Sequence, residues 1–169
     1  MSDEPIETVR EVGVVFVRRA VDNPWVDHLW SPHGVLFPAP PVEPGTILLE
    51  NEREKLVYAG PACVELFASD TANYRDNLID GTPQLWVAAR SGEDGAPTGP
   101  RTTADPTEGG AWFESGADVI GAVPMPADIA GWIAEFIDRF HVERVFLKRQ
   151  RDRSERGERG HGRRPEGKT

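Results

Sequence analysis

The chain has 169 residues, 38% of them hydrophobic, with seven Phe and five Trp, enough apolar material for one globular core without disulfide or metal staples. Its single cysteine, Cys63, excludes an intramolecular disulfide and any zinc ribbon or iron–sulfur site drawn from this chain alone. The net charge of -9 is unevenly spread: from Glu143 to Thr169 ten Lys/Arg face five Asp/Glu, leaving nine against 23 elsewhere, so the acidic body disfavours nonspecific nucleic-acid binding.

Residues 1–8 are polar and acidic, and a flexible N-terminus is expected there. They lack the positive region and apolar run of a signal peptide. The longest apolar run, Val12 to Val17, is far too short to span a bilayer, so no membrane and a cytoplasmic location are expected. Glu11 to Arg19 is β-branched and nearly continuous, which reads as a strand buried on both faces or centrally placed. Asp22-Asn23-Pro24 signals a turn. Val26 to Ser31 then alternates, Pro32 interrupts the ladder, and Gly34 to Phe37 resumes extended structure. Residues 11–37 are therefore expected to form a β-hairpin whose second strand is kinked at Pro32.

A proline-rich connector, Pro38 to Gly45, follows. Strands are expected at Thr46–Glu50, Lys55–Ala59 and Ala62–Phe67, with Gly60-Pro61 as a turn between the last two. Cys63 falls in the third, where a free Cys serves as a small buried hydrophobe. Ser69-Asp70 opens a short helix that stops at Gly81. Its spacing turns Tyr74 and Leu78 inward and Arg75, Asp76 and Asn77 outward.

Gln84 to Arg90 is a strand, residues 91–100 a flexible loop, and Arg101-Thr102-Thr103 a short strand. Asp105 with Pro106 starts a helix running to about Ser115, weakened by Gly109-Gly110 and ended by Gly116. Asp118 to Val123 is extended. Pro124-Met125-Pro126 opens the clearest helix, over 126–140. Ile129, Trp132, Ile133, Phe136 and Phe140 recur at spacings of three and four, with Asp128 and Arg139 suited to the helix dipole. No apolar residue follows Leu147. Residues 149–169 are expected to be a disordered basic tail, with no aromatics for base stacking and so no specific nucleic-acid partner.

These elements predict an α+β fold: a mainly antiparallel sheet, with a partly closed barrel as its variant, and a C-terminal amphipathic helix packed on it. Residues 9–148 form the single domain. The chemistry concentrates in the first hairpin. Arg18, Arg19, Asp22, Trp25, Asp27, His28 and Trp30 lie near one hairpin end, with Arg18 and Arg19 placed across from Asp27, His28 and Leu29. Trp and Arg are the side chains best suited to anchoring a partner, so these residues, with Arg75 on the helix, form the candidate interaction surface. Cross-strand ion pairs and core tryptophans are the plainer reading.

A metal site from Asp27, His28 and His33 is disfavoured, because neighbouring strand residues face opposite ways and His28 to His33 is an odd offset. No phosphate-cradling glycine loop, nucleophile elbow, His-Glu-x-x-His helix or dinucleotide fingerprint is present. No catalytic residue, metal or cofactor is therefore assigned.

The chain resembles a bacterial family, domain of unknown function 3305. Asp22-Asn23-Pro24-Trp25 with Asp27-His28 and Trp30 carries the resemblance, as does Tyr74-Arg75-Asp76-Asn77-Leu78 followed by Leu85-Trp86-Val87. So do Val123-Pro124-Met125-Pro126 and His141-Val142-Glu143-Arg144 leading into Lys148-Arg149. The pieces run in order from about Val12 to Arg153. The chain departs from the family's pattern at Pro106-Thr107-Glu108-Gly109-Gly110, where the family looks more strongly helical. Genes of that family often lie beside those of molybdenum-dependent formate dehydrogenases and their maturation factors. The resemblance thus implies a non-enzymatic accessory or assembly role, with a formate dehydrogenase subunit or maturation factor as protein partner. It supplies no catalytic residues. The competing expectation is a small-molecule or cofactor-handling enzyme with a polar site around Asp27, His28 and Arg75.

Overall fold

The computed structural model describes residues 6–79 and 81–141. Residues 1–5 of the expected flexible N-terminus, and the expected basic tail, lie outside the described residues.

Among the described residues the architecture is α+β, built on two antiparallel sheets and three α-helices. The organising strand is β1 (Val9–Ala20). Val12, Val14 and Phe16 face the main core, while Val15 and Val17 point the other way and are also buried. Burial on both faces is why the apolar run is continuous rather than alternating. Gly13 sits where the second face is tightest: a Cβ there would lie 2.7 Å from Pro40 and 2.8 Å from the Tyr58 ring.

β1 pairs antiparallel with β2 (His28–Leu36) on one side and β4 (Glu54–Glu65) on the other, and β3 (Ile47–Glu50) adds to β4. The order in this sheet is β2-β1-β4-β3. The expected kink at Pro32 is a shift of register: Phe16 pairs with Pro32 but Val15 with Gly34, leaving His33 unpaired.

Gly60-Pro61 is not the expected turn. β4 runs through it as one strand of 12 residues. Its register shifts there, with Tyr58 opposite Val15 and Gly60 opposite Val14, and Gly60 adopts a φ of 119°. The glycine relieves a bulge inside a ladder that β1 enforces from the side. The same ladder corrects the placement of Cys63. Ala62, Val64 and Leu66 take the inner face, so the pleat sends Cys63 outward and it is exposed.

A 3-10 turn at Ala68–Asp70 leads into α1 (Thr71–Ile79), and Gly81 (φ 82°) follows it. The second sheet has the order β6-β5-β7, from β5 (Gln84–Ser91), β6 (Pro97–Thr103) and β7 (Val119–Pro124). Part of the expected 91–100 loop is therefore strand. The reversal is compressed into Gly92 to Ala96, where Gly92 N–H donates to the Ala96 carbonyl (2.8 Å) and Asp94 Oδ1 accepts from Ala96 N–H (3.1 Å).

α2 (Pro106–Glu114) forms as expected, and Asp105 Oδ1 accepts from Thr107 N–H (2.8 Å) as its N-cap. Gly109 does more than weaken this helix. It is buried against Trp86, and a Cβ there would overlap the indole ring.

The two sheets do not join into a closed barrel. Instead β6 lies along β4 and β7 along β2, with Thr102 Oγ1 donating to the Cys63 carbonyl (3.1 Å) and Gly121 packed under Pro32. The third helix, α3, spans residues 127–141. Ile129, Trp132, Ile133, Phe136 and Ile137 are buried in the shared core with Tyr74, Leu85 and Val123. Each such side chain contributes about 1.5–3 kcal/mol of burial before entropy is counted. Trp132 Nε1 donates to the Glu7 carbonyl (2.8 Å), and Leu66 N–H donates to that of Thr8 (2.8 Å), which holds residues 7 and 8 against the domain.

Candidate functional site

The end of the β1–β2 hairpin is built by short-range bonds. Val21 N–H donates to the Asp27 carbonyl (3.0 Å) and closes the tip. Ala20 N–H donates to the Arg53 carbonyl (3.0 Å), tying the tip to the β3–β4 turn. Inside the tip, Asn23 Oδ1 accepts from Trp25 N–H (2.9 Å), an Asx turn that Pro24 stiffens. The result is a Trp presented outward: Trp25 is 89% exposed, beside Val26 at 42% and Leu29 at 56%. The indole and the two aliphatic side chains together form an exposed apolar patch at the apex of the turn.

The register puts Arg18 opposite Trp30, Arg19 opposite Leu29 and Ala20 opposite His28. Arg19 thus meets Leu29 from the expected set, whereas Arg18 lies one residue beyond it. The Arg18 guanidinium lies 6.0 Å from the Trp30 ring centroid, and Arg19 Nε stands 3.6 Å from Glu54 Oε2. Asp22, Asp27 and His28 are all exposed on the tip, while Trp30 is half-buried. Seven of the eight candidate residues thus share one end of the first sheet.

Arg75 is not among them. It is exposed on α1, which follows the end of β4 that pairs with Val9, whereas the tip lies beyond Ala20. A 12-residue strand separates those ends, roughly 36 Å at ~3.3 Å per residue. α1 packs on α2 instead. The geometry therefore does not bring Arg75 to Asp27 and His28. Among the described residues no three His, Cys, Asp or Glu side chains gather closely enough to hold a metal ion, Asp27, His28 and His33 included.

Beneath the tip, on the inner side of the sheet, Trp30 borders a cleft of about 520 Å³. Phe16, Val57, Pro44, Pro97 and Pro100 also line it, and it is mostly apolar.

A second polar group, around α1 and α2, was not legible as such. Asn77, expected to face solvent, is 7% exposed. Its Nδ2 donates to the Gln84 carbonyl (2.8 Å) and the Ala104 carbonyl (2.9 Å), and its Oδ1 accepts from Gln84 N–H (3.0 Å). Beside it, burial pushes the Tyr74 hydroxyl up to about 12, although the Phe67 N–H bond to that oxygen (3.0 Å) pulls the other way. Partial burial, then the Asp105 and Asp70 carboxylates, raise Glu108 above its ordinary 4.5. These groups are structural joints between α1, β5 and α2. The one signal that pointed to them is Asn77 itself, an amide at helical spacing from buried Tyr74.

The family described as "Protein of unknown function (DUF3305)" matches residues 11–151, and the chain belongs to that family. No curated protein and no solved structure matches the chain.

Proposed function

We propose that this protein is a non-enzymatic accessory protein that engages a protein partner through the β1–β2 hairpin end. The observation that carries the reading is the apex itself. Trp25 is 89% exposed on a turn that its own Asn23 and the Val21–Asp27 bond hold in shape. Binding hot spots favour a Trp that is already ordered, because little conformational entropy is lost on docking. Val26 and Leu29 extend the apolar contact. Arg18, Arg19, Asp22, Asp27 and His28 supply a polar rim of both signs, which suits recognition of one partner over others.

The chain's resemblance in sequence supplies the class of partner. A bacterial family whose genes often neighbour those of molybdenum-dependent formate dehydrogenases points to a subunit of that enzyme or a maturation factor, met in the cytoplasm. Among the described residues no helix is long and apolar enough to cross a membrane.

The test is capture of the tagged full chain from its native host, grown with formate and molybdate, beside Trp25→Ala. Wild type is expected to retain a formate dehydrogenase subunit or maturation factor. Truncating an anchoring Trp costs about 2 kcal/mol or more, roughly 30-fold in affinity, so the variant is expected to lose that partner. Its folding stability should stay within about 0.5 kcal/mol of wild type, as for surface changes generally. A folded Trp25→Ala that captures the same protein equally well refutes the hairpin as the contact.

A further inference from the structure

We propose that the outer face of the second sheet carries a separate site, in which Arg90 and Arg101 together bind a small dianion, a phosphate or a dicarboxylate. The two arginines come from adjacent strands. Ala88 pairs with Arg101 and Arg90 with Thr98, so the ladder slips between them, and Gly99 (φ 60°) sits in the slip. Arg101 pairs with Ala88, and Arg90, two residues on, shares that face, so both arginines line one cleft of about 620 Å³ whose other wall is the α2–β7 loop from Ser115 to Asp118. A concave volume of that size suits a small molecule rather than a folded partner.

The electrostatics favour an anion. Among the described residues neither guanidinium has a carboxylate within ion-pair distance. Arg101 is instead held 4.7 Å from the Trp112 ring centroid, which positions its charge without neutralising it. Asp118 is the one acid lining the cleft, and its Oδ2 already accepts from Ser91 N–H (3.0 Å). Within the cleft lining two guanidiniums meet one carboxylate, a positive excess that Glu108, outside the lining but within reach of the Arg101 charge, partly offsets, on a chain whose net charge is -9. Screening over about 8–10 Å lets that local excess prevail over the distant acids. Two charged forks facing one volume match two clustered negative charges, which a phosphate or a short dicarboxylate supplies and chloride does not.

The experiment is an amide NMR titration of the full chain with inorganic phosphate and, separately, succinate, each against sodium chloride at matched ionic strength. Saturable shifts are expected at Gly99, Arg101, Gly116 and Ala117. Arg90→Ala and Arg101→Ala should each weaken binding roughly tenfold or more, since each removes a charge-assisted hydrogen bond. Arg53→Ala, at an exposed arginine in the β3–β4 turn far along the chain from this cleft, should not change it. Arg101→Lys keeps the charge and guards against lost packing on Trp112; it should bind more weakly than wild type and more tightly than Arg101→Ala. Tighter binding of phosphate identifies a phosphoryl ligand, and tighter binding of succinate a dicarboxylate. Shifts no larger than those from chloride, or binding that survives in folded Arg90→Ala and Arg101→Ala, overturn the proposal.

Discussion

Replacing Asn77 with alanine tests the joint that sequence spacing misplaces. Three hydrogen bonds, of 2.8, 2.9 and 3.0 Å, leave this amide for the backbone of Gln84 and Ala104. At about 1 kcal/mol net per bond they are worth roughly 3 kcal/mol, less about 1 kcal/mol of side-chain freedom regained on truncation. Against that, backbone groups stranded without a partner cost about 1–3 kcal/mol where water does not reach them. Asn77→Ala should therefore destabilise by about 2–5 kcal/mol, a large part of the roughly 5–15 kcal/mol that holds a domain together. The assay is urea unfolding followed by tryptophan fluorescence, with the slope unchanged and the midpoint lowered. Asn77→Asp is the sharper variant. It keeps an acceptor for Gln84 N–H but sets a carboxylate against two carbonyl oxygens, so it should lose at least as much. Its neighbour Asp76, exposed on the same helix, should tolerate alanine to within about 0.5 kcal/mol. A loss below about 1 kcal/mol for Asn77→Ala, or equal losses at both positions, would show that the bonds are replaced by water and refute the reasoning.

The paired glycines of α2 should respond oppositely. Gly109→Ala forces a Cβ into Trp86 and should cost about 1–3 kcal/mol despite its helix propensity, whereas Gly110, with nothing near its Cβ position, should gain about 0.5–1 kcal/mol. Thermal melts of the two variants decide this, and equal shifts of the same sign would contradict the contact. The exposed Cys63 should react with a thiol reagent in the native state at a rate near that of the unfolded chain; labelling only after denaturation would place it inside. Glu108 has a folded pKa raised above 4.5, so the folded state holds its proton more tightly and this carboxyl costs stability as pH rises through its folded value. The penalty is present at neutral pH and gone below about 4.5, so the difference between wild type and Glu108→Gln should shrink in acid. A difference that grows in acid would reverse the sign.

By itself the sequence determined what depends on local periodicity. The three-and-four spacing of Ile129, Trp132, Ile133 and Phe136 specifies a helix face wherever it is placed, and those four side chains are buried. The run Val12 to Val17 specifies a central strand, and Asp105-Pro106 a helix start, because a cap and a fixed φ act within one turn. The hairpin was legible too, together with the concentration of Trp, Arg, Asp and His at its end.

Tertiary structure decided the rest, through contacts between segments far apart in the chain. Gly60-Pro61 is punctuation locally, yet pairing with β1 carries the strand through it. Asn77 has the same polarity as Asp76 beside it. Only the arrival of Gln84 and Ala104 turns it from a solvated amide into a buried joint. Gly109 is a weak helix residue until Trp86 comes beneath it. Arg75 stood in one candidate set with the hairpin residues, and the length of β1 separates them. Arg90 and Arg101 drew no notice in the sequence. The pairing of β5 with β6 places them on one face and in one cleft, and no local propensity encodes which strands pair or in what register.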